Sequence, residues 1–296
     1  MNLNKTNMSS TNSSTIPLSC LSKVKRNKSM YRPQINKTDI HFIYDKSGSM
    51  GIGEISITAP QGLRDFVREQ KEKNQKDGTE TYLTITTFSC SHSVIPTFNN
   101  IDVRDAPEIK DEDIIPDGTT LLIDTIYECS MLQEDRCKNS ETPLDKWTRI
   151  LVVMTDGQDN RSYKFSARQL HDRIEKLRSE NVTCLFLAAN QDSIYTGNKF
   201  GFSPDQSLTY SAKGAPSALR AISGSVNAAQ QSCGTYVPSF TPLQRELSQP
   251  IDNTLSDDED NDNNNDKNII MHPNSPPPPP HLQRMLTGNS TISYSM

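Results

Sequence analysis

Residues 40–50 read Ile40-His41-Phe42-Ile43-Tyr44-Asp45-Lys46-Ser47-Gly48-Ser49-Met50, and this stretch decides the fold. A strand-type run ends at a carboxylate, and two hydroxyls follow at alternate positions. A short turn of that kind offers oxygen ligands only, which is what a small hard cation such as Mg²⁺ takes. Gly48 is expected to let the turn close until Ser47 and Ser49 face one point. Ser and Asp are also ordinary turn residues, so the stretch gains its meaning from what lies downstream.

Two later segments supply that meaning. Pro116-Asp117-Gly118-Thr119-Thr120 precedes a helical pattern and places a hydroxyl at a loop-to-helix junction. Ile150-Leu151-Val152-Val153-Met154-Thr155-Asp156-Gly157 is a buried-strand run ending in a second carboxylate. Taken singly, such Ser, Thr and Asp residues can cap free backbone donors at helix starts without any metal.

Together the three loops resemble the von Willebrand factor A (vWA) domain with its metal-ion-dependent adhesion site. That pattern is Asp-x-Ser-x-Ser, then Thr, then Asp, each at the carboxyl end of a strand. Asp45, Ser47, Ser49, Thr119 and Asp156 match it in order. The resemblance implies a bound Mg²⁺, with Mn²⁺ or Ca²⁺ as alternatives. The two serines would ligate it directly, and some of the carboxylates through water. A sixth position would be left for an Asp or Glu of a partner protein. Thr119-Thr120-Leu121-Leu122-Ile123-Asp124-Thr125-Ile126 is similar to the Thr-x-Leu-Tyr-Asp-Ala-Ile segment of intracellular, bacterial, phage and large-virus members, with Ile123 where an aromatic is frequent. Ala188-Ala189-Asn190-Gln191-Asp192, followed by a helix and Leu208-Thr209-Tyr210, resembles the same subgroup. Lys46 adds a cation beside the site. Asp124 reads as an exposed helix acid and Gln158-Asp159-Asn160 as a polar loop, with a place at the rim of the site as the alternative.

Composition divides the chain. Hydrophobic residues make up 33% of its 296 residues, low for a wholly globular chain. Residues 1–37 form a basic Ser/Asn-rich leader expected to be disordered. Residues 38–236 are expected to form the vWA domain, and 237–296 a disordered acidic tail rich in Asn and Pro. The leader holds seven Lys/Arg and no acids, while the net charge of the whole is −5. An acidic middle argues against nucleic-acid binding by the core. Ser256-Asp257-Asp258-Glu259-Asp260 and the run Pro276 to Pro280 leave tail-mediated contacts open.

The six cysteines lack zinc-knuckle or redox-pair spacing, and Cys129 and Cys184 fall on apolar positions expected in the core. No secretory leader and no run of transmembrane length is read. The expectation is therefore an intracellular, cytoplasmic protein.

From residue 39 strand and helix patterns alternate. Tyr82 to Phe88 has period two, and Ser93-Val94-Ile95 is its expected hairpin partner. Leu63, Phe66 and Val67 mark a helix in which Pro60 is tolerable only near the first turn. Leu122, Ile126 and Cys129 mark a second helix. Ala167, Leu170, Ile174 and Leu177 mark a third, and Leu219, Ile222, Val226 and Ala229 the last. Val182 to Ala189 reads as a buried strand and Ser207 to Tyr210 as a short edge strand. The pattern predicts an α/β fold: a Rossmann-like, doubly wound, mostly parallel sheet flanked by helices, with its ligand at the carboxyl ends of strands.

A phosphoryl-transfer enzyme would want a second acid where Ser47 stands, and no phosphate loop or histidine ligand spacing is present. The chain is therefore read as no enzyme but an Mg²⁺-dependent protein-binding module. The alternatives are an assembly adaptor with a fold-stabilising metal, or an accessory subunit of an AAA-type ATPase complex. A metal-dependent phosphoesterase is the weakest reading.

Overall fold

The computed structural model describes residues 37–90, 95–157, 159–189 and 193–250. The expected leader up to residue 36, most of the expected tail, Ser93-Val94, Gln158 and Asn190-Gln191-Asp192 lie outside the described residues.

The first strand, β1 (Lys37–Asp45), is buried from Thr38 onward. Both faces are covered, and its alternation sorts the core. Ile40, Phe42 and Tyr44 enter one apolar cluster, and Ile43 enters the other. The second strand, β2 (Thr81–Phe88), and the fourth, β4 (Trp147–Thr155), pair with β1 in parallel on its two sides. Beyond β4 lie β5 (Thr183–Ala189) and the short β6 (Ser207–Tyr210), both parallel. The sheet order is β3-β2-β1-β4-β5-β6, where β3 (Phe98–Asp102) is antiparallel to β2. The sheet is thus mixed, mostly parallel and vWA-like. Its topological switch falls between β1 and β4, where ligands of such sheets bind beyond the carboxyl ends.

Helices α1 (Ile55–Asp77) and α5 (Ala215–Gln231) cover one face through Leu63, Phe66, Leu219, Ile222 and Val226. Helices α2 (Leu122–Lys138) and α3 (Ala167–Ser179) cover the other through Leu122, Ile126, Leu170 and Ile174. Crossovers of this kind need strands buried on both faces, and Ile150 through Met154 are all fully buried. Cys129 and Cys184 are core thiols, and burial pushes both up to about 12. The five described cysteines carry no disulfide. Among the described residues no helix is long and apolar enough to cross a membrane.

Three expectations are corrected. The partner of β2 is Phe98–Asp102; Ile95 is in no strand and is exposed. Helix α1 begins at Ile55, so Pro60 stands in its second turn rather than its first. There Pro60 withholds only one intrahelical hydrogen bond, the one to the Ser56 carbonyl. Order also continues past 236. A short helix, α6 (Pro242–Ser248), starts on a capping box between Thr241 and Gln244. It is tied to the β6 edge: Arg245 donates to the Ser207 carbonyl at 2.9 Å, and the Ser211 N–H donates to the Ser248 carbonyl at 2.8 Å. Helix α4 (Ser193–Lys199) follows β5, as expected.

Candidate functional site

Strand β1 delivers Asp45 to the end of the sheet beside Thr155 of β4, because Tyr44 and Met154 are register partners. Asp45 is fully buried. Its Oδ2 accepts from the Thr155 hydroxyl at 2.6 Å, and its Oδ1 accepts from the Ser47 N–H at 2.7 Å. The chain then turns through a single 3-10 turn, Gly48–Gly51. This brings the Ser47 and Ser49 hydroxyl oxygens to 3.2 Å from each other. The Ser49 hydroxyl donates to Asp156 Oδ1 at 2.8 Å. Four of the five predicted residues therefore converge at the switch point, on the loops after β1 and β4.

The fifth is Thr119. It is exposed, while Thr120 is buried. A methyl at Gly157 would lie 3.5 Å from the Thr120 hydroxyl and 3.7 Å from that of Ser49. The hydroxyl that closes the small polar space between the loops is thus that of Thr120. The order of residues in the motif is satisfied equally by either threonine; burial and the approach to Gly157 single out the second.

Three loops are stitched together by backbone. The Lys46 N–H donates to the Phe88 carbonyl and the Asp117 N–H to the Lys46 carbonyl, each at 2.8 Å. The Gly48 N–H donates to the Gly118 carbonyl at 3.0 Å, where a Cβ on residue 48 would stand 3.3 Å from that oxygen. Gly48 is therefore suited by this close approach. The left-handed conformation belongs to Gly118, at φ +67°.

Asp124 is not the exposed helix acid expected. It is 4% exposed, and its carboxylate accepts from the N–H groups of Tyr163 and Phe165 at 2.9 Å and of Lys164 at 3.2 Å. The loop answers in kind. Asp159 accepts from the Ile123 N–H at 3.2 Å, Ser162 from the Asp124 N–H at 3.0 Å, and Asn160 from the Thr120 N–H at 3.0 Å. The Ile123 and Asp124 donors are among those a helix start leaves unpaired. Thr155 is the supporting residue that the reading of the sequence missed, and for Asp124 the structure favours the alternative of a place beside the site over an exposed helix acid. Both stood in the quoted segments, but neither a helix acid nor a strand threonine announces its partner.

Electrostatics set the character of the site. Burial pushes the Asp45 carboxyl up to about 6, against the hydrogen bonds from Thr155 and Ser47 and with help from the nearby Asp156 charge. Burial raises Asp156 too, although Ser49 bonds to it. Among the described residues neither carboxylate has an ion-pair partner. A buried carboxylate without a counter-charge is costly, and a cation would remove that cost. The donors are two carboxylates and three hydroxyls, with no nitrogen or sulfur, which fits a hard cation. No group of three or more His, Cys, Asp or Glu side chains gathers among the described residues. A cation here would have only two charged ligands, Asp45 and Asp156.

The site faces outward. Ser49 is exposed and Asp156 half-buried. Gly51 abuts Pro116, and beside that contact Ile52 and Ile115 are 73% and 58% exposed.

No family model matches the chain, and no curated protein matches it. Among solved structures it is similar to proximal thread matrix protein 1 from the mussel byssus, at 17% identity over 63% of this chain and 46% of that one, with a TM-score of 0.46. It is similar to the same protein with zinc in its MIDAS motif, at 14% identity over 68% and 46%, TM-score 0.40. It is also similar to the SpRpn10 VWA domain, at 12% identity over 72% and 94%, TM-score 0.41. The chain spans less than half the length of the byssus protein. Likenesses this distant carry no argument about site or partner, and the account of the site rests on its own geometry.

Proposed function

We propose that this chain is a non-catalytic, divalent-cation-dependent protein-binding module. Asp45, Ser47, Ser49, Thr120 and Asp156 would hold Mg²⁺, and an Asp or Glu of the partner would complete its coordination. The observation that carries this reading is the convergence of two carboxylates and three hydroxyls, without a basic partner, at an outward-facing switch point. A bound cation supplies residual positive charge at that opening; the chain's own groups place and orient it. The exposed Ile52 and Ile115 beside the opening suit a macromolecular surface.

Neither described histidine is at the site to act as a base. His41 is buried in β1 and bonds Thr86 at 2.9 Å, and His171 lies on α3. We propose a cytoplasmic location as well, in which the exposed Cys90 and Cys233 thiols would stay reduced.

The test is capture by the full chain in Mg²⁺, in EDTA, and with Ser49→Ala. Ser49 is exposed, so its loss removes a ligand with little cost to the core. Partners retained only by the unaltered chain in Mg²⁺ support the reading. Identical capture in all three arms leaves the adaptor alternative, with any cation serving the fold.

A further inference from the structure

We infer that Asp124 is a positioning residue for the cation site, acting through the loop after β4 rather than by ligation. The inference rests on the cation reading above and adds to it a residue outside the donor set. The buried Asp124 carboxylate gathers three successive backbone N–H groups, those of Tyr163, Lys164 and Phe165. Hydrogen bonds to an ionised acceptor are roughly twice as strong as neutral ones.

The loop returns side chains to the start of α2. Asp159 holds the Ile123 N–H and Ser162 the Asp124 N–H, while the Ser162 hydroxyl itself donates to Asp159. Asn160 closes a two-way contact with Thr120, accepting from its N–H at 3.0 Å and donating to its carbonyl at 3.2 Å. Two chain segments thus satisfy each other's unpaired donors. One carries the Thr120 hydroxyl, and the other leaves Asp156 and Gly157. Without this clasp, nothing among these bonds would fix the Thr120 side of the site against the Asp156 side.

Groups that orient metal ligands typically change affinity 10–100-fold when removed. Asp124→Asn keeps the volume but turns an amide N–H₂ toward the backbone donors, so at least one of them loses its acceptor. Glu128→Gln serves as the control. It removes a negative charge one turn along α2 that pairs with Lys164 at 2.6 Å and holds no loop N–H in the clasp.

The experiment titrates Mn²⁺ into the full chain, reading free Mn²⁺ by electron paramagnetic resonance well below the unfolding temperature. A parallel melt in EDTA follows stability. The expected result is about tenfold weaker Mn²⁺ binding by Asp124→Asn, with Glu128→Gln within about twofold of the unaltered chain. Unchanged Mn²⁺ affinity with a lowered melting temperature would make Asp124 a structural cap and overturn the inference. Equal weakening by both variants would assign the effect to charge and overturn it too. If Asp124→Asn does not fold, Ser162→Ala tests the opposite half of the clasp: weakened affinity upholds positioning, and unchanged affinity overturns it. No Mn²⁺ binding by the unaltered chain overturns the cation reading itself, and the inference with it.

Discussion

Replacing Asp45 by Asn should stabilise the protein in EDTA and make it indifferent to Mg²⁺. Asp45 is fully buried, and its carboxyl is pushed up to about 6, chiefly by burial. Against an unfolded value near 4, that is about 3 kcal/mol of instability at pH 7 in the metal-free protein. The sign follows from the direction of the shift. The folded state favours the protonated acid, so the penalty is absent below the unfolded pKa and grows until pH passes the folded one. Asparagine removes the charge and can still accept from Thr155. It then turns an N–H₂ toward the Ser47 N–H, forfeiting one bond worth about 1–1.5 kcal/mol. The net gain is about 1.5–2 kcal/mol, or roughly 3–8 °C for a domain of this size. Thermal melts of the full chain at pH 7 in EDTA and in Mg²⁺ read both effects. The unaltered protein should rise with Mg²⁺, by about 2.7 kcal/mol at a hundredfold excess over Kd. A variant less stable than the unaltered chain in EDTA, or equally responsive to Mg²⁺, would refute the reasoning.

Further expectations concern separate parts of the molecule. Thr120→Val should weaken Mn²⁺ binding measured by calorimetry, while Thr119→Val, at an exposed position, should not; the reverse order would restore Thr119 as the ligand. Glu134 feels burial, which raises its pKa, but the hydrogen bonds and charges of Lys138 and Arg173 win and hold it at about 2. It should lend about 2–3 kcal/mol above pH 4.5, lost as pH falls towards 2, and an acid melt series of Glu134→Gln should show a flatter profile than the unaltered chain. Ending the chain at 236 removes the buried Phe240 and the bonds of α6 to the β6 edge, whereas ending it at 250 keeps both. Urea denaturation should find the shorter form weaker by about 2–4 kcal/mol, and equal midpoints would count against a structural role for α6.

The sheet was legible because its central strands carry long apolar runs. Ile150 to Met154 can be satisfied only by burial on both faces, and the helices between strands have clean three-and-four spacing, as at Leu170, Ile174 and Leu177. What failed depended on distances between segments. Two adjacent threonines satisfy one motif equally, and only burial and the approach to Gly157 tell Thr120 from Thr119. Asp124 looked like a surface acid because its acceptor role is defined by a loop 39 residues downstream. The partner of β2 was placed too early because Ile95 carries a strand-type side chain, yet the register sets Phe98 opposite Ile85. Helix α6 did carry its own signal, Thr241-Pro242-Leu243-Gln244, with proline at the first helical position and a capping box around it. That signal was hidden by the polar composition of the residues that follow.

The proposed cation is held at the switch point by side chains from the loops after β1 and β4 and from the start of α2. Calorimetric titration of Mg²⁺ into the full chain, alongside Asp156→Ala, tests this most directly. The account predicts a single saturable site in the unaltered chain and none in the variant. No binding by the unaltered chain, or the same isotherm from Asp156→Ala, would contradict it.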